Sequence, residues 1–137
     1  MIIDKFKIPN KIAIVTGAMG GMGFAIADAL GEAGAKLILT DMKEDKSFLD
    51  KLKTKNYSFE FIKGDIANSD FPEELISFAI AKYNSLDILV NCAGIAASIK
   101  MENYDDESLK KMIDINFKSV FRLCRQSIIK MKNQKKG

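Results

Sequence analysis

Short apolar runs that alternate with helix-like patterns constrain the fold of this 137-residue chain more than any other feature. Four runs have the composition of buried or half-buried strands, at residues 12–16, 36–40, 57–63 and 86–90. Segments with helical spacing of apolar residues follow them, at 21–33, 44–55, 70–83 and 105–132. Alternation of this kind predicts right-handed strand–helix–strand units, and therefore a parallel sheet with helices on both faces.

The expected fold class is therefore α/β, with one domain over residues 1–137. We predict a three-layer α/β/α, doubly wound sheet in strand order 3-2-1-4 that ends after the fourth strand–helix unit. Alternating aromatic residues at 57, 59 and 61 indicate that the third strand lies near an edge. Ligands bind such sheets beyond the carboxyl ends of the strands, so the functional residues should follow the four strands.

Two local predictions concern the later helices. Asp70, with Glu73 three residues on and Pro72 in the first turn, has the spacing of a capping box. Asn116 falls between Ile113 and Val120 on the expected buried side of one long helix over 105–132. A buried asparagine needs hydrogen-bond partners, and a satisfied core position would be enough to explain it.

Composition excludes several classes of protein. Apolar residues make up 47% and charged residues 28%, which disfavours disorder and fibrous repeats. The chain has no His, and Cys92 and Cys124 lack ligand spacing, so we expect no metal site. The longest uncharged stretch, 12–27, is short and rich in glycine, and the N-terminus has no signal-peptide core. We therefore expect a cytoplasmic protein without a membrane segment.

The last 20 residues, 118–137, contain seven basic residues and no acidic one. Such a segment can bind nucleic acid. Lys and Arg near the end of a helix also complement the helix dipole, which is the interpretation we favour. We accordingly expect no nucleic-acid partner.

A glycine-rich turn links the first predicted strand to the first helix. Gly17, Gly21 and Gly23 have the spacing G-x3-G-x-G. Glycines there permit a tight turn, allow the backbone to approach a pyrophosphate, and let the helix pack closely on the sheet. The helix N-terminus would favour the anion. A P-loop is excluded because no Gly-Lys-Ser/Thr follows, whereas glycines required by geometry alone remain an alternative.

Asp41 ends the second predicted strand, 18 residues after Gly23. An acid about 20 residues after such a turn can bind both hydroxyls of an adenine ribose and would repel a 2′-phosphate. Gly20 lies where a basic residue could have neutralised that phosphate. Both features favour NAD over NADP. Alternatively, Asp41 is a loop aspartate that caps the helix starting near Glu44.

Together these motifs resemble the classical short-chain dehydrogenases/reductases, from about Pro9 to Gly137. The matching segments are Thr-Gly-x3-Gly-x-Gly at 16–23, the acid at 41, Asp-Ile at 65–66, Asn-Cys-Ala-Gly at 91–94 and the helix asparagine at 116. Cys92 departs from the family, which has Asn-Asn-Ala-Gly. The resemblance implies a Rossmann-type fold and an NAD-dependent enzyme that interconverts a secondary alcohol and a ketone, a small-molecule substrate.

The resemblance also implies roles for individual residues. The pyrophosphate and adenosine ribose would be surrounded by Gly17, Met19, Gly20, Gly21, Met22 and Gly23. Asp41 and Met42 would contact the adenine-side ribose and ring edge, Asp65 the adenine amino group, and Ile66 the ring. The cofactor floor would be formed by Asn91, Ala93 and Gly94. Asn116 would be the asparagine of the catalytic tetrad, with its backbone carbonyl holding a water. The long helix 105–132 would pair subunits in a homodimer or homotetramer.

The family also uses a serine and a Tyr-x3-Lys pair, which follow a fifth strand. None of Tyr57, Tyr83 and Tyr104 has Lys four residues later. We therefore expect the isolated chain to be inactive and to be the cofactor-binding half of a longer enzyme. The alternative is a non-catalytic dinucleotide-binding module or interaction protein, which would leave the fourth strand as an exposed apolar edge.

Overall fold

The structure, a computed structural model, describes residues 2–137. Its strands are β1 Ile12–Thr16, β2 Lys36–Asp41, β3 Phe59–Lys63 and β4 Ile88–Asn91. Its helices are α1 Gly21–Glu32, α2 Lys46–Thr54, α3 Phe71–Tyr83, α4 Asp106–Ile113 and α5 Ser119–Gln134. A π-helical turn at Asp114–Lys118 joins α4 to α5, and 3-10 turns occupy Ile2–Phe6 and Met101–Asn103.

All four strands are parallel and lie in the order β3-β2-β1-β4, which confirms the predicted topology. The register pairs Thr16 of β1 with Thr40 of β2 and with Asn91 of β4, while Asp41 pairs with Lys63 of β3. The carboxyl ends of the strands therefore meet along one edge of the sheet.

Alternate side chains of each strand supply two apolar cores, one on each face of the sheet. On one face Ala13 and Val15 of β1 pack with residues of α1 and α2. On the other face Ile14 packs with residues of α3 and with Leu123 of α5. This arrangement gives the predicted three layers and explains why β1, buried at every position, is apolar up to its last residue, Thr16.

The two outer strands are half-buried, in contrast to β1. All four residues of β4 are partly exposed, as are four of the five residues of β3. The prediction that β3 lies at an edge is confirmed. The edge of β4 away from β1 carries no paired strand among the described residues.

A buried carboxylate anchors the beginning of β4. The side chain of Asp87, 3% exposed, accepts a hydrogen bond from Ile12 N–H at 2.9 Å and lies 3.4 Å from Lys11 Nζ. Burial alone would raise the pKa of Asp87, but the Ile12 N–H and the ammonium groups of Lys11 and Lys136 outweigh it and lower the pKa. Asp87 therefore ties β4 to β1 in its charged form.

The last residue of α5 is fastened to the chain just before β4. Gln134 Oε1 accepts a hydrogen bond from Leu86 N–H at 2.9 Å, and Gln134 Nε2 donates to the Leu86 carbonyl at 2.8 Å. This pair of bonds fixes the end of α5 against the sheet.

The capping box predicted at Asp70 is wrong. Asp70 has a helical backbone conformation and makes no side-chain hydrogen bond to the main chain of α3 that the structure describes. Asn68 and Asp65 explain the difference, because Asn68 Oδ1 accepts the Asp70 N–H and the Asp65 carbonyl accepts the Asn68 N–H, so the turn before α3 is already bonded. Pro72 does lie in the first turn, as predicted.

The helical segment predicted over 105–132 is present, from Asp106 to Gln134, but a π-helical turn that was not predicted divides it into α4 and α5. The Ser119 hydroxyl donates to the Ile115 carbonyl within this stretch. A π turn holds one residue more than an α turn, so it changes which residues face the sheet. In α5 the buried residues are Ser119, Leu123 and Ser127. Helical spacing over 105–132 also predicted one buried apolar stripe, but five of its residues are exposed, namely Leu109, Ile113, Phe117, Phe121 and Ile128.

An acidic residue at the start of the π turn binds lysines on both sides of it. Asp114 accepts hydrogen bonds from Lys110 Nζ at 2.8 Å and Lys118 Nζ at 2.6 Å. These two ammonium groups lower the pKa of Asp114 to about 2. The ion pairs span the junction between α4 and α5 and support the change of helical register.

Candidate functional site

The turn between β1 and α1 requires glycine at two positions for packing. Gly17 has a φ of 64°, and a Cβ there would lie 2.7 Å from Ala93 Cα. A Cβ at Gly23 would lie 2.1 Å from the Gly17 carbonyl oxygen. Both contacts are with main chain, which cannot rotate away. These glycines hold β1, α1 and the end of β4 in close contact, as the first and third glycines of the predicted motif should.

The outer side of the same turn is open. Apart from its chain neighbours and the backbone of α1, no described heavy atom lies within 4 Å of a Cβ built on Gly21, and the side chain of Met22 is 74% exposed. The first main-chain bond of α1 runs from Phe24 N–H to the Gly20 carbonyl. The N–H groups of residues 21–23 precede that bond and lie at the positive end of the helix dipole, where an anion is favoured.

Asp41, at the end of β2, lies directly against the glycine turn. Its Oδ2 accepts a hydrogen bond from Met19 N–H at 3.0 Å, and its Oδ1 accepts one from Met42 N–H at 2.8 Å. The alternative that Asp41 caps the next helix is excluded. That helix, α2, is capped by Asp45, whose carboxylate accepts hydrogen bonds from two N–H groups of the first turn.

The segment after β3 supplies one polar and one apolar group. Asp65 is exposed, and its Oδ1 accepts a hydrogen bond from Ala67 N–H at 2.9 Å. Ile66 is 7% exposed and packs in the core with Phe71 of α3. The Asp65 carboxylate therefore faces outward while Ile66 forms part of a fixed apolar wall.

The segment after β4 is held to β1 by a hydroxyl that the sequence did not mark as functional. Thr16 Oγ1 accepts hydrogen bonds from Cys92 N–H at 3.1 Å and Ala93 N–H at 3.2 Å. The Asn91 side chain points to α5 and donates to Cys124 Sγ at 3.4 Å. The sequence signal that could have indicated this contact is the threonine at the end of an otherwise apolar strand.

The prediction that Asn116 is buried is wrong, because the π-helical turn leaves its side chain exposed. The prediction that it has hydrogen-bond partners is confirmed. Asn116 Oδ1 accepts from Ile95 N–H at 2.8 Å, and Asn116 Nδ2 donates to the Ile95 carbonyl at 2.7 Å. A Cβ on Gly94 would lie 3.2 Å from Asn116 Oδ1. Asn116 thus fixes the chain that leaves β4, next to the end of the sheet.

A cavity of about 210 Å³ lies along the carboxyl edge of the sheet. The predicted site residues that line it are Gly17, Gly20, Asp41, Met42, Asp65, Ile66, Ala93 and Gly94. The structure adds five further residues to the lining: Thr40, Gly64, Cys92, Ile95 and Ile115. The remaining predicted residues are outside the lining: Met19, Gly21, Met22, Gly23, Asn91 and Asn116.

The described chain shows neither a membrane-spanning helix nor a cluster of metal-ligating side chains. Within residues 2–137 no helix is both long enough and apolar enough to cross a membrane. The same residues contain no group of three or more His, Cys, Asp or Glu side chains that could hold a metal ion.

Comparisons with known proteins agree on one family. A family model described as short chain dehydrogenase matches residues 11–137. The diacetyl reductase [(S)-acetoin forming] of Staphylococcus epidermidis is 33% identical over 135 residues, which cover 93% of this chain and 51% of that protein. The chain spans about half the length of the curated relatives that it matches.

Solved structures give the same result. The crystal structure of gox2181 matches with a TM-score of 0.93 at 31% identity, covering 100% of this chain and 55% of that one. A metagenomic short-chain oxidoreductase in complex with NADP matches with a TM-score of 0.88 at 26% identity, covering 95% and 60%. The likeness to each covers nearly all of this chain and about half of the other.

Proposed function

Because the chain belongs to the short-chain dehydrogenase family, we propose that it supplies the cofactor-binding half of an NAD-dependent oxidoreductase that interconverts a secondary alcohol and a ketone. The observation that carries this proposal is the contact between Asp41 and the glycine turn, which lies beside a cavity at the carboxyl edge of the sheet. The diacetyl reductase relative supports the substrate class, since its substrate is a ketone. When bound, the nicotinamide would exchange a hydride with the substrate carbon.

The residues of the site fit a dinucleotide in shape and in chemistry. The space beside Gly21 would admit the pyrophosphate to the N–H groups at the start of α1. Asp41 would accept hydrogen bonds from the adenine ribose, since each carboxylate oxygen has a second lone pair beyond the one used by the main chain. Asp65 Oδ2 would accept from the adenine amino group, and Ile66 would pack against the ring.

The preference for NAD rests on charge at Asp41. A 2′-phosphate placed there would be repelled by the carboxylate, and neither Met42 nor Gly20 could neutralise it. The relative whose structure contains NADP shows that the family also accepts that cofactor. We therefore base the proposed preference for NAD over NADP on the residues of this chain.

Asn116 would act through its backbone in the proton relay of the whole enzyme. Both ends of its side-chain amide are bonded to Ile95, which fixes the side chain against the segment after β4, and the main-chain carbonyl would hold the water. The π-helical turn supports this role, because such turns alter main-chain pairing and are frequent at functional sites. The chain contains no Tyr-x3-Lys pair, so we propose that it has no dehydrogenase activity by itself.

The exposed stripe of α4 and α5 would pair two copies of the chain. Phe117 is 69% exposed and Phe121 is 59% exposed, and Arg125 lies over the Phe121 ring. Large apolar groups in such a row are typical of protein interfaces. Phe121→Asp should therefore lower the assembly mass measured by light scattering, whereas Phe6→Asp, at another exposed aromatic, should not. An unchanged mass for Phe121→Asp would contradict the proposed interface.

The proposed cofactor is tested by titrating the purified protein with NADH and with NADPH. We expect NADH to bind more tightly, and Asp41→Ala to reduce that margin at least tenfold, because the ribose contact and the repulsion are lost together. Asp50→Ala removes an exposed acid of α2 and is the matched control. Equal affinities in the unaltered protein, or an unchanged margin in Asp41→Ala, would contradict the proposal.

A further inference from the structure

The end of β2 binds two consecutive N–H groups of the glycine turn. Ala18 N–H donates to the Thr40 carbonyl at 3.1 Å, and Met19 N–H donates to Asp41 Oδ2 at 3.0 Å. The second bond joins residues 22 positions apart in sequence and ends on a charged acceptor. Hydrogen bonds to a charged partner are stronger than those between neutral groups.

Its glycine content allows the turn a wide choice of shapes. Four of the seven residues in 17–23 are glycine, and glycine has the widest choice of backbone conformations. Within the turn Gly20 N–H donates to the Gly17 carbonyl, while Ala18 N–H and Met19 N–H bond to the end of β2. Met19 lies between Gly17, which is closely packed, and Gly21, which is on the open side of the turn.

We propose that Asp41 is a positioning residue for the glycine turn, which it holds through Met19 N–H in the shape that receives the pyrophosphate. This role rests on the proposed dinucleotide function but differs from the ribose contact. The Asp41 carboxylate also accepts a hydrogen bond from Met42 N–H at 2.8 Å, which fixes its position independently of the bond to the turn. Loss of the carboxylate consequently weakens binding of the pyrophosphate as well as of the ribose.

A ligand that has the pyrophosphate but lacks the ribose hydroxyls separates the two roles. We would measure 2′,3′-dideoxy-ADP and NADH binding by calorimetry in the unaltered protein, Asp41→Ala and Asp41→Asn. Asp41→Ala should bind the dideoxy ligand about threefold to tenfold more weakly, the effect of one lost hydrogen bond. Asp41→Asn also loses the charge but keeps an oxygen acceptor, so it should recover part of that loss.

Amide exchange provides a readout without ligand. In Asp41→Ala the Met19 amide should exchange at least threefold faster, with partial recovery in Asp41→Asn. The Ile12 amide, which is bonded to Asp87 at the opposite edge of the sheet, should be unaffected. This pattern would distinguish a local loss of positioning from a general loss of stability.

The outcomes separate the two proposals. If Asp41→Ala weakens NADH binding but leaves dideoxy-ADP affinity and Met19 exchange unchanged, the positioning role is overturned and the proposed function stands. Equal exchange acceleration at Met19 and Ile12 would also overturn it. If the unaltered protein binds neither ligand, the proposed function fails and the positioning role fails with it.

Discussion

Alanine substitutions at two glycines in the first turn of α1 should have different effects. One substitution should weaken ligand binding without lowering stability, and the other should lower stability. Around Gly21, no described heavy atom other than its chain neighbours and the backbone of α1 lies within 4 Å of an added Cβ. Two residues later, a Cβ on Gly23 would lie 2.1 Å from the Gly17 carbonyl oxygen and 2.8 Å from its carbon. Alanine at 21 therefore fills open space, whereas alanine at 23 collides with main chain.

The expected magnitudes follow from these distances. Gly21→Ala should leave the free energy of unfolding unchanged or raise it by up to about 0.5–1 kcal/mol, because alanine favours helix over glycine. Gly23→Ala forces backbone apart in a packed region, which costs about 1–3 kcal/mol and lowers Tm by roughly 5–15 °C. By contrast, Gly21→Ala should weaken NADH binding at least tenfold, about 1.4 kcal/mol, since the methyl group occupies the pyrophosphate's place.

Thermal unfolding followed by circular dichroism measures the first quantity, and NADH fluorescence measures the second. The chain has no tryptophan, so protein emission interferes little with the nicotinamide signal. Undiminished NADH affinity in Gly21→Ala would refute the placement of the pyrophosphate. A Gly23→Ala variant as stable as the unaltered chain would refute the packing requirement.

Two further predictions concern a cavity residue and a buried carboxylate. Cys92 lines the cavity, so in a Cys124→Ser background saturating NADH should slow its reaction with a thiol reagent at least fivefold; an equal rate would contradict occupancy of this cavity. Asp87→Asn should lower the free energy of unfolding by about 1–2 kcal/mol at pH 7, measured by urea denaturation. The pKa of Asp87 is lower in the folded chain than in the unfolded chain. The stabilisation that the Asp87 carboxylate provides is therefore complete above about pH 4, near the pKa of an unfolded Asp, and is lost as the pH falls through the folded pKa. The difference in the free energy of unfolding between the unaltered chain and Asp87→Asn should accordingly be smaller at pH 3 than at pH 7. A difference independent of pH would contradict the charged form of Asp87.

The sheet was predictable because its signals are local. Each strand is a short apolar run, and β1 is buried at every position while the alternating β3 is half-buried. Right-handed crossovers then leave few strand orders to choose from, and the order 3-2-1-4 follows from the doubly wound arrangement. The glycine turn and Asp41 were predictable for the same reason, since each ends a recognisable strand.

The features that sequence reasoning missed depend on contacts between distant residues. The bond from Met19 N–H to Asp41 joins the glycine turn to the end of β2, and the Thr16 hydroxyl binds main chain 76 and 77 positions away. No rule of sequence spacing predicts either of these contacts. The π-helical turn holds one residue more than an α turn and so changes the direction in which its residues face. Asn116, which an uninterrupted α-helix was expected to bury, is therefore exposed. At Asp70 a competing local bond, from the Asp70 N–H to Asn68 Oδ1, takes the place of the predicted capping box.

The most direct measurement of the central claim is an amide spectrum of the nitrogen-labelled chain, recorded while NADH is added. We predict saturable shifts at Gly17–Gly23, Asp41 and Asp65–Ile66, which meet at the carboxyl edge of the sheet. The amides of Ile12 and Asp87, at the opposite edge, should remain in place. Shifts confined to other regions, or no shifts at millimolar NADH, would contradict dinucleotide binding at this edge.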